Sequence, residues 1–177
     1  MLLVFTGAEG LDGEAFSGVY RGSALENCRG MYPQEPDGDR ALARYEADHL
    51  AYMAGPFWEE GGVLLVLAGE DGRYLAAVKL YPGTGAGCWQ MEALETRPGE
   101  RRKGYGLELL RQTQGWLERA GGGTLLSQVG RGNLASLGAH QAAGFRRARE
   151  GWVQPDGGPA PAQCTMVYRT RGAPDPL

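Results

Sequence analysis

Three basic residues and two glycines stand together in the middle of the chain, in the run Arg101-Arg102-Lys103-Gly104-Tyr105-Gly106. Leu107, Leu110 and Leu117 then recur at helical spacing, so the glycines open a predicted helix of roughly four turns. The first N–H groups of a helix lack internal partners and lie at the positive end of its dipole, where an anion binds well. Cations at that position are unfavourable unless an anionic ligand offsets them. The run therefore predicts a phosphate-binding turn.

Two common phosphate motifs do not fit this turn. A dinucleotide fingerprint needs a third glycine where this chain has Leu109, and a P-loop needs Gly-Lys-Ser/Thr where the chain has Lys103-Gly104. Taken alone, the segment is more often a solvated basic loop whose glycines only shape the turn.

A strand precedes the turn. Trp89, Met91 and Ala93 alternate with Gln90, Glu92 and Leu94, which is the period of a strand with two different faces. Pro98 ends the pattern because it has no N–H for a ladder. On an unbroken strand Glu92 and Leu94 share a face and Glu95 lies on the opposite one.

Two ordered motifs carry a resemblance to a known family. The order Pro98-x-x-Arg101-x-x-Gly104-x-Gly106, after a strand and at the start of a helix, resembles the acetyl-CoA-binding motif of the GNAT N-acetyltransferase superfamily. The stretch Asn133-x-x-Ser136-x-x-x-His140-x-x-x-Gly144-Phe145 is similar to the downstream helix of that family, which usually has tyrosine where this chain has His140. The two motifs cover about residues 88 to 147, and the N-terminal half carries no signature.

The resemblance implies a fold and a reaction. The fold is mixed α/β, with a central, mostly antiparallel sheet of about seven strands, one splayed parallel pair and about four flanking helices. Residues 1–177 form a single domain with its cofactor-binding core at about 88–147. The reaction moves an acetyl group from acetyl-CoA to an amine by direct attack in a ternary complex. The expected acceptor is a small molecule rather than a protein.

The resemblance also assigns cofactor contacts to three segments. Backbone groups of the strand end are expected to pair with the pantetheine arm, the turn is expected to hold the pyrophosphate through its amides and the Arg101 side chain, and the downstream helix is expected to contact the arm. The residues concerned are Leu94, Glu95, Thr96, Arg101, Arg102, Lys103, Gly104, Tyr105, Gly106, Asn133 and Ser136.

Acyl transfer needs a base for the amine and a proton for the departing thiolate. Glu92 is the predicted base, since it lies on the strand that leads to the splayed gap; an exposed strand residue is the alternative. His140 is the predicted acid, because histidine gives up a proton near neutral pH more readily than tyrosine does; simple packing is the alternative. No metal site is expected.

Charge is divided unevenly along the chain. Residues 1–96 hold 15 acidic and 6 basic residues, net −9, whereas residues 97–177 hold 6 acidic and 12 basic residues, net +6. The basic half suits an anionic nucleotide and the acidic half suits a cationic amine, although surface drift also produces such halves. Neither nucleic acid nor a membrane is an expected partner. The three widely spaced cysteines indicate no disulfide framework, so the cytoplasm is the expected location.

The remaining elements are predicted from periodicity. Strands are expected at 2–5, 63–68, 73–80, 124–129, 146–153 and 164–169, the last two joined by the Pro/Gly-rich loop 154–163. A helix is predicted within 8–30, although its glycines weaken the pattern. Asp39 is expected to cap a second helix that ends at Gly55, and another helix is expected after Asn133. His49 on the second helix is expected to be a packed core residue.

The acceptor is not identified by any motif. Its pocket is expected from residues 8–60 and the loop 154–163, with contacts suggested by position alone at Tyr32, Glu59, Glu60 and Trp152. Two readings compete with the transferase: a non-catalytic acyl-CoA-binding or sensor domain, and an unrelated phosphate-binding α/β domain. The oligomeric state stays open, a homodimer included.

Overall fold

The computed structural model describes residues 1–153 and 159–173, with backbone alone at 149–153 and 159–161. Seven strands and five helices follow one another along the chain. They are β1 (Leu2–Phe5), α1 (Gly13–Met31), α2 (Gly38–Ala54), the one-turn α3 (Pro56–Glu59), β2 (Val63–Ala68), β3 (Tyr74–Pro82), β4 (Cys88–Thr96), α4 (Tyr105–Arg119), β5 (Thr124–Gly130), α5 (Leu134–Ala142), β6 (Arg146–Val153) and β7 (Pro159–Arg169). None of the helices within these ranges combines the length and the apolar character that a bilayer crossing needs.

All seven strands belong to one sheet, in the order β1-β2-β3-β4-β5-β7-β6. Every neighbouring pair is antiparallel except β4 and β5, which run parallel. Four helices of two turns or more flank the sheet. The predicted fold class, a mostly antiparallel sheet with one parallel pair, is therefore confirmed.

Strand β2 is buried on both faces, as its continuous apolar run predicts. Its residues alternate between two cores: Leu65 packs with Leu109 and Leu117 of α4, whereas Leu64 packs with Phe16 of α1. Helices α1 to α3 thus cover one face of the sheet and α4 covers the other. The three cysteines are free thiols buried in the protein.

Two predicted boundaries are wrong, and one segment lies outside the description. Helix α2 is capped by Asp37, whose side chain accepts hydrogen bonds from the amides of Asp39 and Arg40, so the cap precedes the expected Asp39. Strand β7 begins at Pro159, five residues before the expected Cys164. Within the predicted loop 154–163, residues 154–158 lie outside the described residues, as does the side chain of Trp152.

Candidate active site

A gap opens between the two parallel strands. The β4–β5 ladder joins only Cys88–Met91 to Thr124–Ser127, although both strands continue beyond it. A cavity of about 160 Å³ occupies the gap, between Ala93 and Leu94 on one side and Gln128 to Gly130 on the other. Strand backbone that does not pair across a gap keeps hydrogen-bonding groups for a ligand. The gap is therefore a slot edged with strand backbone.

The cause of the gap is a β-bulge in β4. Glu92 pairs with Lys79 and Glu95 pairs with Ala77, so Ala93 and Leu94 together face a single residue of β3. Ala93 has φ of 49°, a left-handed conformation that is uncommon for a residue other than glycine. The extra residue turns the end of β4 aside and stops its pairing with β5.

The bulge also corrects the predicted faces of β4. Leu94 packs against the core on the α4 side, whereas Glu92 and Glu95 pair with residues whose side chains belong to the α1 and α2 side. Strict alternation puts Glu92 with Leu94 and opposite Glu95, and this is wrong because one inserted residue shifts the register by one. Both glutamates therefore lie on the face that α1 and α2 cover.

The predicted phosphate-binding turn has the geometry of an anion site. Arg102 and Gly104 both take left-handed backbone conformations, with φ of 68° and 88°, directly before α4 begins at Tyr105. The amides of 102–107 donate no hydrogen bond within the part of the chain that the structure describes. Alternating backbone conformations at a helix start bring such N–H groups together into a concavity that attracts anions.

The basic side chains of the turn have different surroundings. Lys103 Nζ lies 2.8 Å from Glu100, a buried carboxylate that also binds Arg73 at 3.0 Å. The Arg101 guanidinium lies over Gly22 of α1, 3.7 Å from Glu95, and its Nε donates to the carbonyl of Thr96 at 3.4 Å. Arg101 thus ties the turn to α1 and β4, and a role of its side chain toward a pyrophosphate stays a prediction.

His140 lies in the gap with only 1% of its surface exposed. Its Nδ1 is 2.8 Å from the Ser136 carbonyl, which can only accept, so Nδ1 carries the proton and Nε2 accepts from the Ser127 hydroxyl at 3.0 Å. Its ring meets Phe145 edge to face. Burial lowers the pKa of His140, against an opposing effect of its bond to Ser136. The imidazole is therefore held neutral in a defined tautomer.

Three other polar groups line the gap. The Asn133 side chain caps α5 by accepting a hydrogen bond from the Ser136 amide at 3.0 Å. This bond fixes the orientation of Asn133 and Ser136, both predicted site residues, at the gap. Gln128 was not predicted: its Oε1 accepts from Thr165, and its buried Nε2 has no partner within the described residues. A buried amide without a partner is costly, so it points to a ligand group in the gap.

A second cavity, of about 440 Å³, lies on the other side of the bulge. We call it the tyrosine pocket, after the rings of Tyr20, Tyr32, Tyr45 and Tyr52 that line it together with Asp48, His49, Lys79, Ala93 and Glu95. Ala93 lines both this pocket and the gap, so the bulge is the point where the two cavities meet.

The two glutamates of β4 differ in their relation to the tyrosine pocket. Glu95 lines it and is half-buried, and burial raises the pKa of its carboxyl while the Arg101 guanidinium opposes that rise. Glu92 is exposed and does not line the pocket, although its charge reaches Lys79 and Tyr52. A raised pKa makes a carboxylate a stronger base, so Glu95 has the better surroundings for proton abstraction.

Of the residues suggested as acceptor contacts, some line the tyrosine pocket and others do not. Tyr32 lines the pocket, and its hydroxyl donates to Asp48. Glu60 accepts from the Tyr52 hydroxyl at 2.7 Å but, like Glu59, does not line the pocket. His49 packs against the rings of Phe16 and Tyr20 as expected, yet it also faces the pocket. Position along the chain could not separate these cases, because the pocket is built from four elements distant in sequence.

A larger and more open depression, of about 710 Å³, lies elsewhere, beside the start of α1. Three arginines line it, and each already has partners: Arg97 donates to the carbonyls of Tyr74 and Ala15 at 2.7 and 2.9 Å, and Arg21 and Arg73 form ion pairs with Glu46 and Glu100. It shares no lining residue with the gap or the tyrosine pocket. We do not assign it to the site.

Solved structures with the same fold come from several acetyltransferases. The chain is 20% identical to a ribosomal-protein-alanine N-acetyltransferase from Brucella melitensis, with a TM-score of 0.63 over 96% of this chain and 99% of that one. It is 20% identical to YncA of Salmonella typhimurium, a putative acetyltransferase whose structure contains acetyl-CoA, with a TM-score of 0.58 over 100% of this chain and 99% of that one. It is 17% identical to an aminoglycoside acetyltransferase in complex with coenzyme A and kanamycin, with a TM-score of 0.63 over 97% and 96%. At these identities the likeness shows the fold.

Sequence comparison identifies the family. A search of curated proteins gave no match. The model of the acetyltransferase (GNAT) family matches residues 26–145, which include β4, the anion-binding turn and α5. The chain therefore belongs to the acetyltransferase (GNAT) family.

Proposed function

We propose that this protein is an acetyl-CoA-dependent N-acetyltransferase that acetylates the amine of a small molecule. The observation that carries the proposal is the meeting of two cavities at Ala93: a backbone-edged gap next to an anion-binding turn, and a pocket that contains a carboxylate. One cavity suits the acyl donor and the other suits the acceptor. Acetyl-CoA is made and used inside cells, so the proposed location is the cytoplasm.

The residues present fit the donor. The unpaired amides of 102–107 and the exposed Arg102 suit the pyrophosphate. The backbone of Leu94 to Thr96 does not pair with β5, and together with Gln128 Nε2, which has no partner among the described residues, and the α5 residues Asn133 and Ser136 it suits the amide-bearing pantetheine arm. Coenzyme A supplies an activated thioester, and the protein supplies its position.

Glu95 is the base that we propose first, and Glu92 is the second candidate. The ammonium group of the acceptor loses one proton to the carboxylate, and its nitrogen then attacks the thioester carbonyl. A C–N bond forms and the C–S bond breaks. The second proton of the nitrogen goes to solvent or to the departing thiolate. Direct attack needs no covalent enzyme intermediate, and we propose none.

His140 and Ser127 form the proposed proton path at the sulfur end. In the neutral state Ser127 donates to His140 Nε2. If the imidazole gains a proton, Nε2 becomes the donor and the serine hydroxyl is released to donate toward the gap, which both residues line. His140 acts as an acid only through this charged state, which burial makes less stable.

The acceptor that we propose is a small molecule because the tyrosine pocket encloses about 440 Å³ between α1, α2 and the sheet. The related structures act on a ribosomal protein in one case and bind kanamycin in another, so the family alone does not choose. Asp48 and Glu95 contribute two carboxylates to the pocket lining, which attract an ammonium group.

Thiol release tests the proposal. The protein is mixed with acetyl-CoA and a panel of amines, and free coenzyme A is measured together with the acetylated product by mass spectrometry. We expect release that depends on the amine and falls sharply in Glu95→Gln. Tight acetyl-CoA binding without release for any amine supports the acyl-CoA sensor instead, and nucleotide binding that ignores the pantetheine arm supports the unrelated phosphate-binding domain.

A further inference from the structure

Lys79 is a cation that forms no ion pair with a carboxylate of the tyrosine pocket; the charge of Glu92, its partner across the β3–β4 ladder, reaches it from outside the pocket lining. It is half-buried at the pocket wall, and none of the ion pairs among the described residues includes it. Its Nζ lies 3.3 Å from His49 Nε2 and about equally far, 5.7 and 5.8 Å, from the ring centres of Tyr20 and Tyr52. An ammonium group has three donors, and a nearby imidazole satisfies one.

His49, the polar group nearest to Lys79, carries no negative charge. Burial and the neighbouring Lys79 lower the pKa of His49 to about 4, so the imidazole is neutral at physiological pH. Its Nε2 accepts one hydrogen bond from Lys79 and contributes no negative charge. A partly desolvated cation is unfavourable until an anion joins it. Lys79 is therefore suited to bind an anionic group of a ligand.

The Tyr20 hydroxyl is a second, independent observation that points to an anionic ligand group near Lys79. Tyr20 is 3% exposed, and its oxygen has no hydrogen-bond partner within the described residues. Burial raises the pKa of this phenol, so the hydroxyl keeps its proton and is a donor. The Tyr20 ring lies beside Lys79 and both residues line the pocket. A neutral donor and a cation in one wall are suited to a carboxylate.

The pocket also holds the complementary charge. Glu95 lines it two residues after Ala93, the residue that the pocket shares with the gap, and the Glu95 charge acts on Tyr20. We therefore place the ammonium group of the acceptor at Glu95, toward the gap, and a carboxylate of the same molecule within the reach of Lys79 and Tyr20. The remaining lining includes the rings of Tyr32, Tyr45 and Tyr52, which suit an apolar or aromatic body.

We infer that the acceptor is an amino acid or a molecule with the same head group, a primary amine close to a carboxylate. This inference rests on the proposed function and specifies its substrate class. The product is an N-acetyl amino acid: the nitrogen forms a bond to the acetyl carbon, coenzyme A leaves as its thiolate, and of the two protons lost from the ammonium one goes to Glu95 and one to the thiolate. No other reactant is needed.

A matched series tests the class. Each of the common amino acids is compared with its decarboxylation product and its primary amide in the thiol-release assay, so that only the carboxylate changes. We expect the amino acid to exceed both analogues by about 100-fold in kcat/KM, because the analogues leave Lys79 and Tyr20 without their partner. Lys79→Met should bring this ratio close to one, and Tyr20→Phe should reduce it in part.

The controls separate failure of the inference from failure of the proposed function. Lys103→Met, which changes the other lysine of the chain, should keep the preference for the carboxylate even where it weakens acetyl-CoA binding. Unchanged acetyl-CoA affinity by calorimetry shows that Lys79→Met has folded. Equal turnover of amines and amino acids, or an unchanged ratio in Lys79→Met, overturns the substrate class and leaves the transferase intact. No turnover of any compound overturns both.

Discussion

Gly22→Ala in α1 is the perturbation that best isolates the contact between the anion-binding turn and the acceptor side. A Cβ at Gly22 would lie 2.2 Å from Arg101 Nη2, so the guanidinium must move by about 1 Å to reach an ordinary contact. The move lengthens the 3.7 Å contact with Glu95. Since Arg101 opposes the rise of the Glu95 pKa, we expect that pKa to rise further in the variant.

The cost in stability should be small. The Arg101 and Glu95 side chains are 44% and 25% exposed, and an exposed ion pair contributes about 0 to 1 kcal/mol. Alanine in place of glycine within a helix gains about 0.5 to 1 kcal/mol. The two effects nearly cancel, so we expect the free energy of unfolding to change by less than about 1 kcal/mol.

Gly18→Ala is the matched control on the same face of α1, one turn earlier. A Cβ there would lie 2.4 Å from Arg97 Nη1, and Arg97 donates to the carbonyls of Tyr74 and Ala15. Hydrogen bonds from a charged group contribute about 1.5 to 3 kcal/mol each. After the helix gain is subtracted, the loss of one such bond or both should destabilise the protein by about 1 to 5 kcal/mol.

Urea unfolding and a pH–rate profile measure the two effects. Gly22→Ala should keep the stability of the wild type and move the acid limb of kcat/KM to higher pH, because a base with a raised pKa loses its activity sooner as the pH falls. Gly18→Ala should lower the unfolding midpoint. Equal stability of the two variants, or an acid limb that Gly22→Ala leaves in place, would refute the reasoning about these arginines.

Three further predictions concern the proposed chemistry. Glu95→Gln should lower kcat about 100-fold or more, as loss of a general base does, whereas Glu92→Gln should change it about twofold, as a surface substitution does; equal losses would contradict the pocket assignment. His140→Phe should lower turnover and leave acetyl-CoA affinity nearly unchanged by calorimetry; unchanged turnover removes His140 from the mechanism. Glu95 is held above its ordinary pKa by burial, so the acid limb of the wild type should lie above that expected for an exposed glutamate, and a limb at the exposed value argues for another base.

The turn and the helix after it could be predicted because their signals are local. The glycines, the cations and the leucine spacing all lie within one strand–turn–helix unit, and the structure begins α4 at Tyr105. The buried run of β2 is equally local. The glycines in α1 weaken the prediction of a helix there, but the structure gives them a different role. Gly18 and Gly22 leave room for the side chains of Arg97 and Arg101, which lie some 80 residues further along the chain. No local rule contains that contact.

The bulge and the tyrosine pocket could not be predicted. Ala93 takes a left-handed conformation that glycine or asparagine usually adopts, so the residue type gives no sign of a bulge there. Strict alternation through Ala93 therefore predicts Glu92 and Glu95 on opposite faces, whereas the structure places them on the same face. The pocket joins residues from α1, α2, β3 and β4, which tertiary packing alone brings together. In the sequence Lys79 is one polar position in an apolar strand, and its place in the wall of the pocket, without an ion pair to a pocket carboxylate, becomes visible only when its neighbours are known.

Calorimetric titration of coenzyme A tests the central claim most directly, in the wild type and in two glycine variants of the turn. Gly104 has φ of 88°, where an L-residue costs about 1 to 2 kcal/mol, while a Cβ at Gly99 meets open space. We predict saturable binding of coenzyme A and acetyl-CoA, about 5- to 30-fold weaker in Gly104→Ala, with Gly99→Ala unchanged. Pantetheine, which lacks the pyrophosphate, should bind far more weakly. Absence of coenzyme A binding at millimolar concentration, or equal affinity for pantetheine, would contradict the account.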